Sequence, residues 1–309
     1  MNNASAATTP VRQSLGQTSW GAVTAVGRGL RRQIWLATRT GAGRIGLPIV
    51  AFYLFLAIMG PVIAPYPATQ FHLQDQLSAP SWTYWLGTDE YGRDILSRVL
   101  SGARSIIVIA TLGAALGITL GTLVGMTSAY KGGRTDEFTM RVMDGLMSFP
   151  ALLMALLVLT TLGANAQNII LTIGVVFMPR VARILRSATL SIKTLEFVQN
   201  ARLRGESSAY IIFREILPNT IPVLTVEASV RLSFAILLAS SLGFLGLGVQ
   251  PPSPDWGLMI SESRRFITTA PWVALAPAGA VASLVIGVNL LAEGMRQAQH
   301  LPRVEEEIE

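Results

Sequence analysis

Long apolar runs alternate with short polar segments along most of the chain. An α-helix needs about 20 apolar residues to cross a hydrocarbon core of ~30 Å. The runs approach that length, and Pro150 inside the third predicts a kink there. The pattern therefore predicts an all-α, polytopic membrane protein with about six transmembrane helices. The runs are 47–64, 106–129, 143–162, 168–184, 223–242 and 273–291.

Composition supports the membrane assignment and limits the chemistry. Of the 309 residues 51% are hydrophobic and 14% are charged, whereas soluble domains carry about 25% charged residues. Mean hydropathy is +0.49. There is no cysteine, which excludes disulfides, thiolate metal sites and cysteine nucleophiles. The only histidines, His72 and His300, are far apart in sequence, so we expect no histidine-rich metal site.

Basic residues predict the topology. A net charge of +6 and a pI near 10.2 could indicate nucleic-acid binding. Most of the 24 Lys and Arg residues, however, lie in four segments: residues 1–46, the turn after the second run, the segment after the fourth run, and the C-terminus. The positive-inside rule puts these segments in the cytoplasm, so we expect both termini there and no nucleic-acid partner.

The same rule divides the chain into regions. We expect a cytoplasmic basic tail over 1–46, although this acid-poor leader is also similar to an organelle transit peptide. The first transmembrane helix follows at 47–64, then an external segment at 65–103. A core with five transmembrane helices occupies 104–295, and a second cytoplasmic tail occupies 296–309.

The segment 189–222, between the fourth and fifth runs, is amphipathic. Gly205 predicts a left-handed stop for a first helix. Ser207 and Ser208 are suited to cap a second helix, and Pro218 predicts its end. The segment is thus predicted as helix, glycine elbow, helix and proline stop. The apolar stripe of the first helix is predicted from Ile192, Leu195, Val198 and Ala201.

Two groups of charged residues raise the question of catalysis. Asp89 and Asp94 could act as an acid–base pair, but Arg93 and Arg98 follow closely, so we favour ion pairs along a short interfacial helix. In the fifth run Glu227 precedes Arg231 by four residues. That spacing predicts a neutralised helical pair facing the bundle, and a polar lining of a pathway is compatible with it.

Glycines mark a packing face in the second run. Gly113, Gly117, Gly121 and Gly125 recur every four residues, which allows close approach of another helix in lipid. No Gly-Lys-Ser/Thr follows, so a nucleotide site is not supported.

Three motifs carry a family resemblance. The run Gln199–Gly205, followed by Leu217-Pro218-Asn219, resembles the cytoplasmic Glu-Ala-Ala…Gly…Leu-Pro loop of permease subunits of bacterial binding-protein-dependent ABC importers, with Gln199 and Asn200 in place of Glu and Ala. Residues 86–98, LGTDEYGRDILSR, resemble the C-type permeases of dipeptide, oligopeptide, nickel and glutathione importers. Residues 242–248, LGFLGLG, resemble their Ser-Phe-Leu-Gly-Leu-Gly stretch, with Gly243 replacing the serine.

The resemblance implies a type I ABC importer permease fold and three groups of functional residues. Contact with the ATPase would involve the coupling loop 189–222, at Gln199, Asn200, Ala201, Gly205, Leu217 and Pro218. The periplasmic motif would comprise Gly87, Thr88, Asp89, Gly92, Arg93, Asp94, Ser97 and Arg98. The outer end of the fifth span would comprise Gly243, Phe244, Gly246 and Gly248.

The resemblance also implies partners. We expect a second permease subunit, two ATP-binding subunits that carry the ATP, an external solute-binding protein and the bilayer of the bacterial inner membrane. The chain itself would hold no cofactor and would not be an enzyme. Its solute is expected to be a di- or oligopeptide, with nickel and glutathione left open.

Other classes of protein remain as alternatives. An intramembrane enzyme needs a nucleophile–base pair or metal ligands, and no histidine or cysteine lies in the predicted spans. A secondary transporter usually has repeated halves, and no clear repeat is visible. A stand-alone scaffold is a third alternative.

Overall fold

The computed structural model describes residues 37–300, and that part is nearly all helical. The ends of both predicted tails, residues 1–36 and 301–309, lie outside the described residues. The helices are α1 (Gly41–Ile63), α2 (Ile95–Lys131), α3 (Gly133–Met147), α4 (Ala151–Leu162), α5 (Ala166–Ile192), α6 (Glu196–Leu203), α7 (Ser208–Phe244), α8 (Trp256–Ser263) and α9 (Trp272–His300).

Five of these helices, α1, α2, α5, α7 and α9, are long and apolar enough to cross a membrane, and α3 with α4 forms a sixth, bent candidate. The predicted all-α fold is thereby confirmed. The helices extend beyond the apolar runs, because polar residues at their ends continue the helix outside the hydrocarbon. Thus α2 begins at Ile95, inside the segment that we predicted to be external, and α7 begins at Ser208.

The glycine face of α2 packs against α5, as predicted. A Cβ atom at Gly113 would lie 2.8 Å from Ile173, and one at Gly121 would lie 2.6 Å from the Cβ of Val181. The contacts advance in step along both helices, so α2 and α5 run in the same direction. Their backbones approach more closely than larger residues would allow.

The third apolar run does not form the single kinked helix predicted for 143–162. The chain breaks between Met147 and Ala151, and the axes of α3 and α4 differ by 84°. Pro150 is the N-cap of α4 because proline cannot donate into the preceding turn. Helix α4 has 12 residues, which corresponds to about 18 Å, shorter than a hydrocarbon core.

The predicted proline stop at Pro218 is wrong, because α7 continues through it to Phe244. Residues Ile211–Ile216 form a π-helical turn, and the N–H of Leu217 donates to the carbonyl of Ile212, five residues earlier. The shift to the wider turn comes immediately before Pro218, which has no N–H to donate. The helix therefore passes the proline, and the coupling loop joins the fifth span directly.

Candidate coupling loop and outer face

The coupling loop rests on a buried apolar seat. Val198 and Ala201 of α6 are fully buried and pack with residues of α2, α5 and the π turn. Lys193 donates from Nζ to the carbonyl of Ala129 at 2.8 Å, and Arg202 lies over the ring of Tyr130 at 4.9 Å. The loop is thus attached to the C-terminal end of α2 as well as to α5 and α7.

The predicted apolar stripe is only half correct. Helix α5 ends at Ile192 and α6 begins at Glu196, so the four residues do not lie on one helix. Leu195 sits at the turn and remains 47% exposed. The turn changes the direction of the chain, which removes Leu195 from the face that Val198 and Ala201 bury.

Gly205 adopts the predicted left-handed conformation, with φ +78°. Its N–H donates to the carbonyl of Arg202 at 2.9 Å, and the N–H of Glu206 donates to that of Ala201 at 3.2 Å. These two bonds are the Schellman pattern that ends a helix. Ser207 then caps α7 by accepting from the N–H of Tyr210, as predicted.

One face of α6 is left open to its surroundings. Gln199 and Asn200 are exposed, and Leu203 is exposed over 85% of its surface. Leu217 and Pro218 lie in α7, half-buried. The predicted coupling residues therefore divide into an exposed set on α6 and a supporting set beneath it.

On the opposite end of the bundle, the periplasmic motif forms a buried charged network. Asp89 accepts from Nε of Arg93 at 2.6 Å, and Nη1 of Arg98 lies 3.4 Å away. Arg93 also lies over the ring of Tyr91 at 4.6 Å. Asp89, Arg93 and Arg98 are each less than a tenth exposed, so their charges depend on one another for compensation.

Asp94 has a different role from the one predicted. Its Oδ2 accepts from the N–H of Ser97 at 2.8 Å and from the Ser97 hydroxyl at 2.6 Å. It is the N-cap of α2, which starts one residue later. Among the described residues Asp94 forms no ion pair, because its carboxylate is aimed at the free N–H groups of the helix. The short interfacial helix predicted around the motif is the first turn of α2 itself.

The network includes a carboxylate that sequence analysis missed. Glu262 of α8 approaches Arg93 at 3.5 Å and Arg98 at 3.9 Å. Burial raises the pKa of Glu262, and the two arginines oppose that rise. Glu262 is more than 160 residues from the motif, so no local spacing could indicate it. This contact ties α8 to the start of α2.

The glycines of the motif allow backbones to meet. Gly87 and Gly92 have φ +76° and +73°, a region that suits glycine. A Cβ at Gly92 would run into the backbone of His72, and one at Gly87 would lie 2.6 Å from the carbonyl of Ser78. Thr88 accepts from the N–H of Ser78 at 2.9 Å. The motif therefore holds the preceding external segment in place.

Tyr84 completes that attachment. Its hydroxyl donates to Asp75 at 2.9 Å. Burial and this bond raise the pKa of Tyr84 to about 12, so the phenol stays protonated and remains a donor at ordinary pH.

The outer end of α7 is a corner packed around Asp255. Gly246, at φ +81°, ends the helix, and the N–H of Leu247 donates to the carbonyl of Leu242 at 2.8 Å. A Cβ at Gly243 would collide with the carboxylate of Asp255, and one at Gly248 would lie 3.2 Å from it. The corner is thus more constrained than a plain turn.

Asp255 and Trp256 connect this corner to the bundle. Asp255 caps α8 by accepting from the N–H of Leu258 at 2.8 Å, and burial raises its pKa. Trp256 is fully buried and donates from Nε1 to the carbonyl of Val99 at 3.0 Å. A Cβ at Gly102 would lie 2.7 Å from the same indole nitrogen. Only glycine leaves room for the Trp256 ring at this position, which lies on α2 outside the predicted packing face.

The predicted pair of Glu227 and Arg231 is present inside α7. Nε of Arg231 donates to Glu227 at 2.5 Å, and both residues are less than a tenth exposed. The guanidinium also lies 5.8 Å from the ring of Phe177 on α5. The pair is therefore turned toward the bundle, and its polar surface is largely covered within this chain.

Comparisons with known proteins agree with this architecture. The family model for a binding-protein-dependent transport system inner membrane component matches residues 117–299. A dipeptide transport system permease protein of Alkalihalophilus pseudofirmus is 35% identical over 254 residues, which is 82% of this chain and 84% of that protein. A glutathione transport system permease protein of Pectobacterium atrosepticum is 36% identical over 250 residues, which is 81% of this chain and 83% of that protein.

Another glutathione transport system permease protein, from Escherichia coli O1:K1, is 39% identical over 250 residues, covering 81% of this chain and 82% of that one. Among solved structures, an inward-facing form of the MetNI methionine ABC transporter aligns with a TM-score of 0.54 and 17% identity. That alignment covers 67% of this chain and 97% of the other, and it supports the fold. The chain therefore belongs to the inner-membrane components of binding-protein-dependent transport systems, as a multi-pass permease subunit of an ABC importer of the peptide/nickel type, with a role in transport rather than catalysis.

Proposed function

We propose that this permease moves di- or oligopeptides into the cell. The observation that carries the proposal is that relatives aligned over most of their length are named for dipeptide and glutathione transport. Both solutes are small and contain peptide bonds. A glutathione importer is the second candidate, because a relative named for that solute reaches 39% identity. A nickel importer is a third.

Uptake by the assembled transporter tests the solute. Membership of this family implies a partner permease, ATP-binding subunits and a solute-binding protein. With the partner permease, two ATP-binding subunits and the solute-binding protein present, we expect saturable uptake of a labelled dipeptide, competed by other short peptides. If glutathione is the only competitor, the peptide assignment is wrong and the solute is glutathione. If nickel is the only solute taken up, the protein is part of a nickel importer.

We propose that α6 transmits ATP-driven movement to the spans, with Gln199, Asn200 and Leu203 on its contact surface. Two features support this role. Leu203 is a large apolar side chain that is almost fully exposed, and Val198 and Ala201 attach the same short helix to three others. A force applied to the exposed face would therefore move α2, α5 and α7 together.

Two matched glycines test this role. Gly205 and Gly246 both end a helix with a positive φ, at +78° and +81°, and both have open space where a Cβ would go. Valine at either position is strained, since β-branched residues rarely adopt that region. Gly205→Val should lower both the affinity for the ATP-binding subunits and solute-stimulated ATP hydrolysis, whereas Gly246→Val should leave that affinity unchanged. Equal affinities in the two variants would count against α6 as the contact helix.

We propose that the outer face supports the solute-binding protein. The external segment held by Thr88 and Gly92 presents exposed aromatic residues, with Trp82 97% and Trp85 66% exposed. Such residues are common in protein interfaces. Trp82→Ala should weaken binding of the solute-loaded binding protein to the permease without changing affinity for the ATP-binding subunits. Unchanged docking would refute this role.

We propose further that both termini and α6 face the cytoplasm. Arg180, Arg183 and Arg186 lie in the C-terminal half of α5, the half that leads to α6, in agreement with the positive-inside rule. The chain lacks cysteine, so single cysteines report orientation cleanly. A cysteine at Ser207 should react only from the cytoplasmic side and one at Ser81 only from outside. Labelling of the Ser207 variant in intact cells by an impermeant reagent would overturn this orientation.

A further inference from the structure

Helix α3 has three distinct faces. Its inward face holds Asp136 and Met143, both buried. Asp136 accepts from Nε and Nη2 of Arg186 at 2.8 and 2.6 Å, and Asp144 pairs with Arg183. These contacts fix α3 against the arginine-bearing end of α5. Outside this face Arg134, Glu137, Phe138, Arg141 and Val142 are exposed within the described chain.

The position of α3 in the chain fixes its orientation. It starts two residues after the end of α2 and ends four residues before the start of α4. Helix α2 is long and apolar enough to cross the membrane, whereas α4 qualifies only together with α3, and the axes of α3 and α4 differ by 84°. Helix α3 thus follows a helix long enough to cross, makes nearly a right angle with the apolar α4 and pairs with two arginines of α5, as expected of a helix that runs along the membrane surface.

The exposed surface of α3 divides into an apolar edge and a charged edge. Phe138 is 70% exposed and Val142 is 43% exposed, and their spacing of four residues places them next to each other on the helix. The adjoining edge carries Glu137 and Arg141, which pair at 2.8 Å, together with Arg134. Helices with such adjoining edges are typical of the membrane–water interface.

The charges around α3 are unbalanced. Lys131, Arg134 and Arg180 are exposed, and none has a carboxylate partner within residues 37–300. The neighbouring acidic residues, Glu137, Asp136 and Asp144, are each engaged by an arginine. The excess positive charge complements an anionic lipid surface. The same positive charge would gain no comparable electrostatic attraction from the apolar surface of a second transmembrane subunit.

We propose that α3 is an interface helix that binds anionic phospholipid. Phe138 and Val142 enter the region where headgroups meet acyl chains, while Lys131, Arg134 and Arg180 contact the headgroup phosphates. The lipid surface thereby fixes the helix that joins α2 to the short helix α4. This inference rests on the membrane location of the chain and does not depend on the identity of the solute.

Nitroxide labels measure the depth of each edge. Because the chain has no cysteine, Phe138→Cys, Val142→Cys and Glu137→Cys each carry one label. The assembled transporter is studied in nanodiscs that contain phosphatidylglycerol. We expect labels at 138 and 142 to collide more with oxygen than with a water-soluble nickel chelate, and the label at 137 to show the reverse.

Two results would overturn the lipid assignment. Equal access of the nickel chelate to positions 138 and 137 would place the apolar edge in water. Protection of position 138 from both reagents would instead mean that a second subunit covers it. Either result leaves the family assignment and the proposed role of α6 intact.

The headgroup contact is tested by changing the lipid. Replacing phosphatidylglycerol by phosphatidylcholine should lower the ratio of oxygen to nickel-chelate collisions at position 138 by about fivefold, since one basic residue gains about 1 kcal/mol near an anionic surface. The combined change Arg134→Gln and Arg180→Gln should abolish this lipid dependence. Arg265→Gln, at an exposed arginine after α8, is the control and should retain it. A ratio that is the same in both lipids would overturn the headgroup contact.

Discussion

Gly121→Ala is the sharpest test of the α2–α5 contact. A Cβ at this position would lie 2.6 Å from the Cβ of Val181 and 2.7 Å from the carbonyl oxygen of Met178, whereas ordinary contacts begin at 3.4 Å. The two helices would have to separate by nearly 1 Å, and forced packing of this kind costs about 1–3 kcal/mol. The gain in helix propensity from glycine to alanine is about 1 kcal/mol and acts in the opposite direction.

Gly279→Ala provides a matched control. Gly279 lies inside α9, and nothing lies within 4 Å of the position where its Cβ would be. The propensity gain is the same for both variants and cancels in their comparison. We therefore expect Gly121→Ala to be less stable than Gly279→Ala by about 1–3 kcal/mol.

Reversible unfolding in SDS, followed by tryptophan fluorescence, measures this difference. The free energy of unfolding of Gly279→Ala should equal or exceed that of the unmodified protein. The free energy of unfolding of Gly121→Ala should be lower than that of Gly279→Ala. If Gly121→Ala proves as stable as the control, the close packing of α2 on α5 is wrong.

Two further predictions concern the outer face. Asp94→Ala removes the N-cap of α2 and should lower the free energy of unfolding by about 0.5–2 kcal/mol, whereas Asp144→Ala, which removes only an exposed ion pair, should cost about 0–1 kcal/mol; equal losses would contradict the capping role. Because burial raises the pKa of Glu262, its contribution to stability is full below the ordinary glutamate pKa and is lost as pH rises through the raised value. Glu262→Gln should flatten that part of the stability profile, and an unchanged profile would contradict the pKa assignment.

Sequence patterns predicted features that depend on local rules. The glycine face of α2, the left-handed Gly205 and the buried pair of Glu227 and Arg231 each follow from spacing along one helix or at its end. Hydropathy likewise indicated the apolar helices, because each must satisfy its backbone within the bilayer on its own.

Features that depend on distant contacts could not be predicted. Glu262 joins Arg93 and Arg98 only because α8 folds back onto the start of α2. The continuation of α7 through Pro218 depends on a π turn that no propensity indicates. Hydropathy also could not separate α3 from α4, because both contain apolar residues and only the packed structure defines the 84° bend.

The most direct test of the central claim is ATP-dependent solute uptake by reconstituted proteoliposomes. We expect the purified chain alone neither to hydrolyse ATP nor to move a labelled dipeptide. Addition of the partner permease, the ATP-binding subunits and the solute-binding protein should restore uptake. In that complex a cysteine at Leu203 should crosslink to an ATP-binding subunit, and one at Glu90 to the solute-binding protein. Dipeptide flux by the chain alone under an ion gradient would contradict an obligate ABC permease subunit and would indicate a secondary transporter.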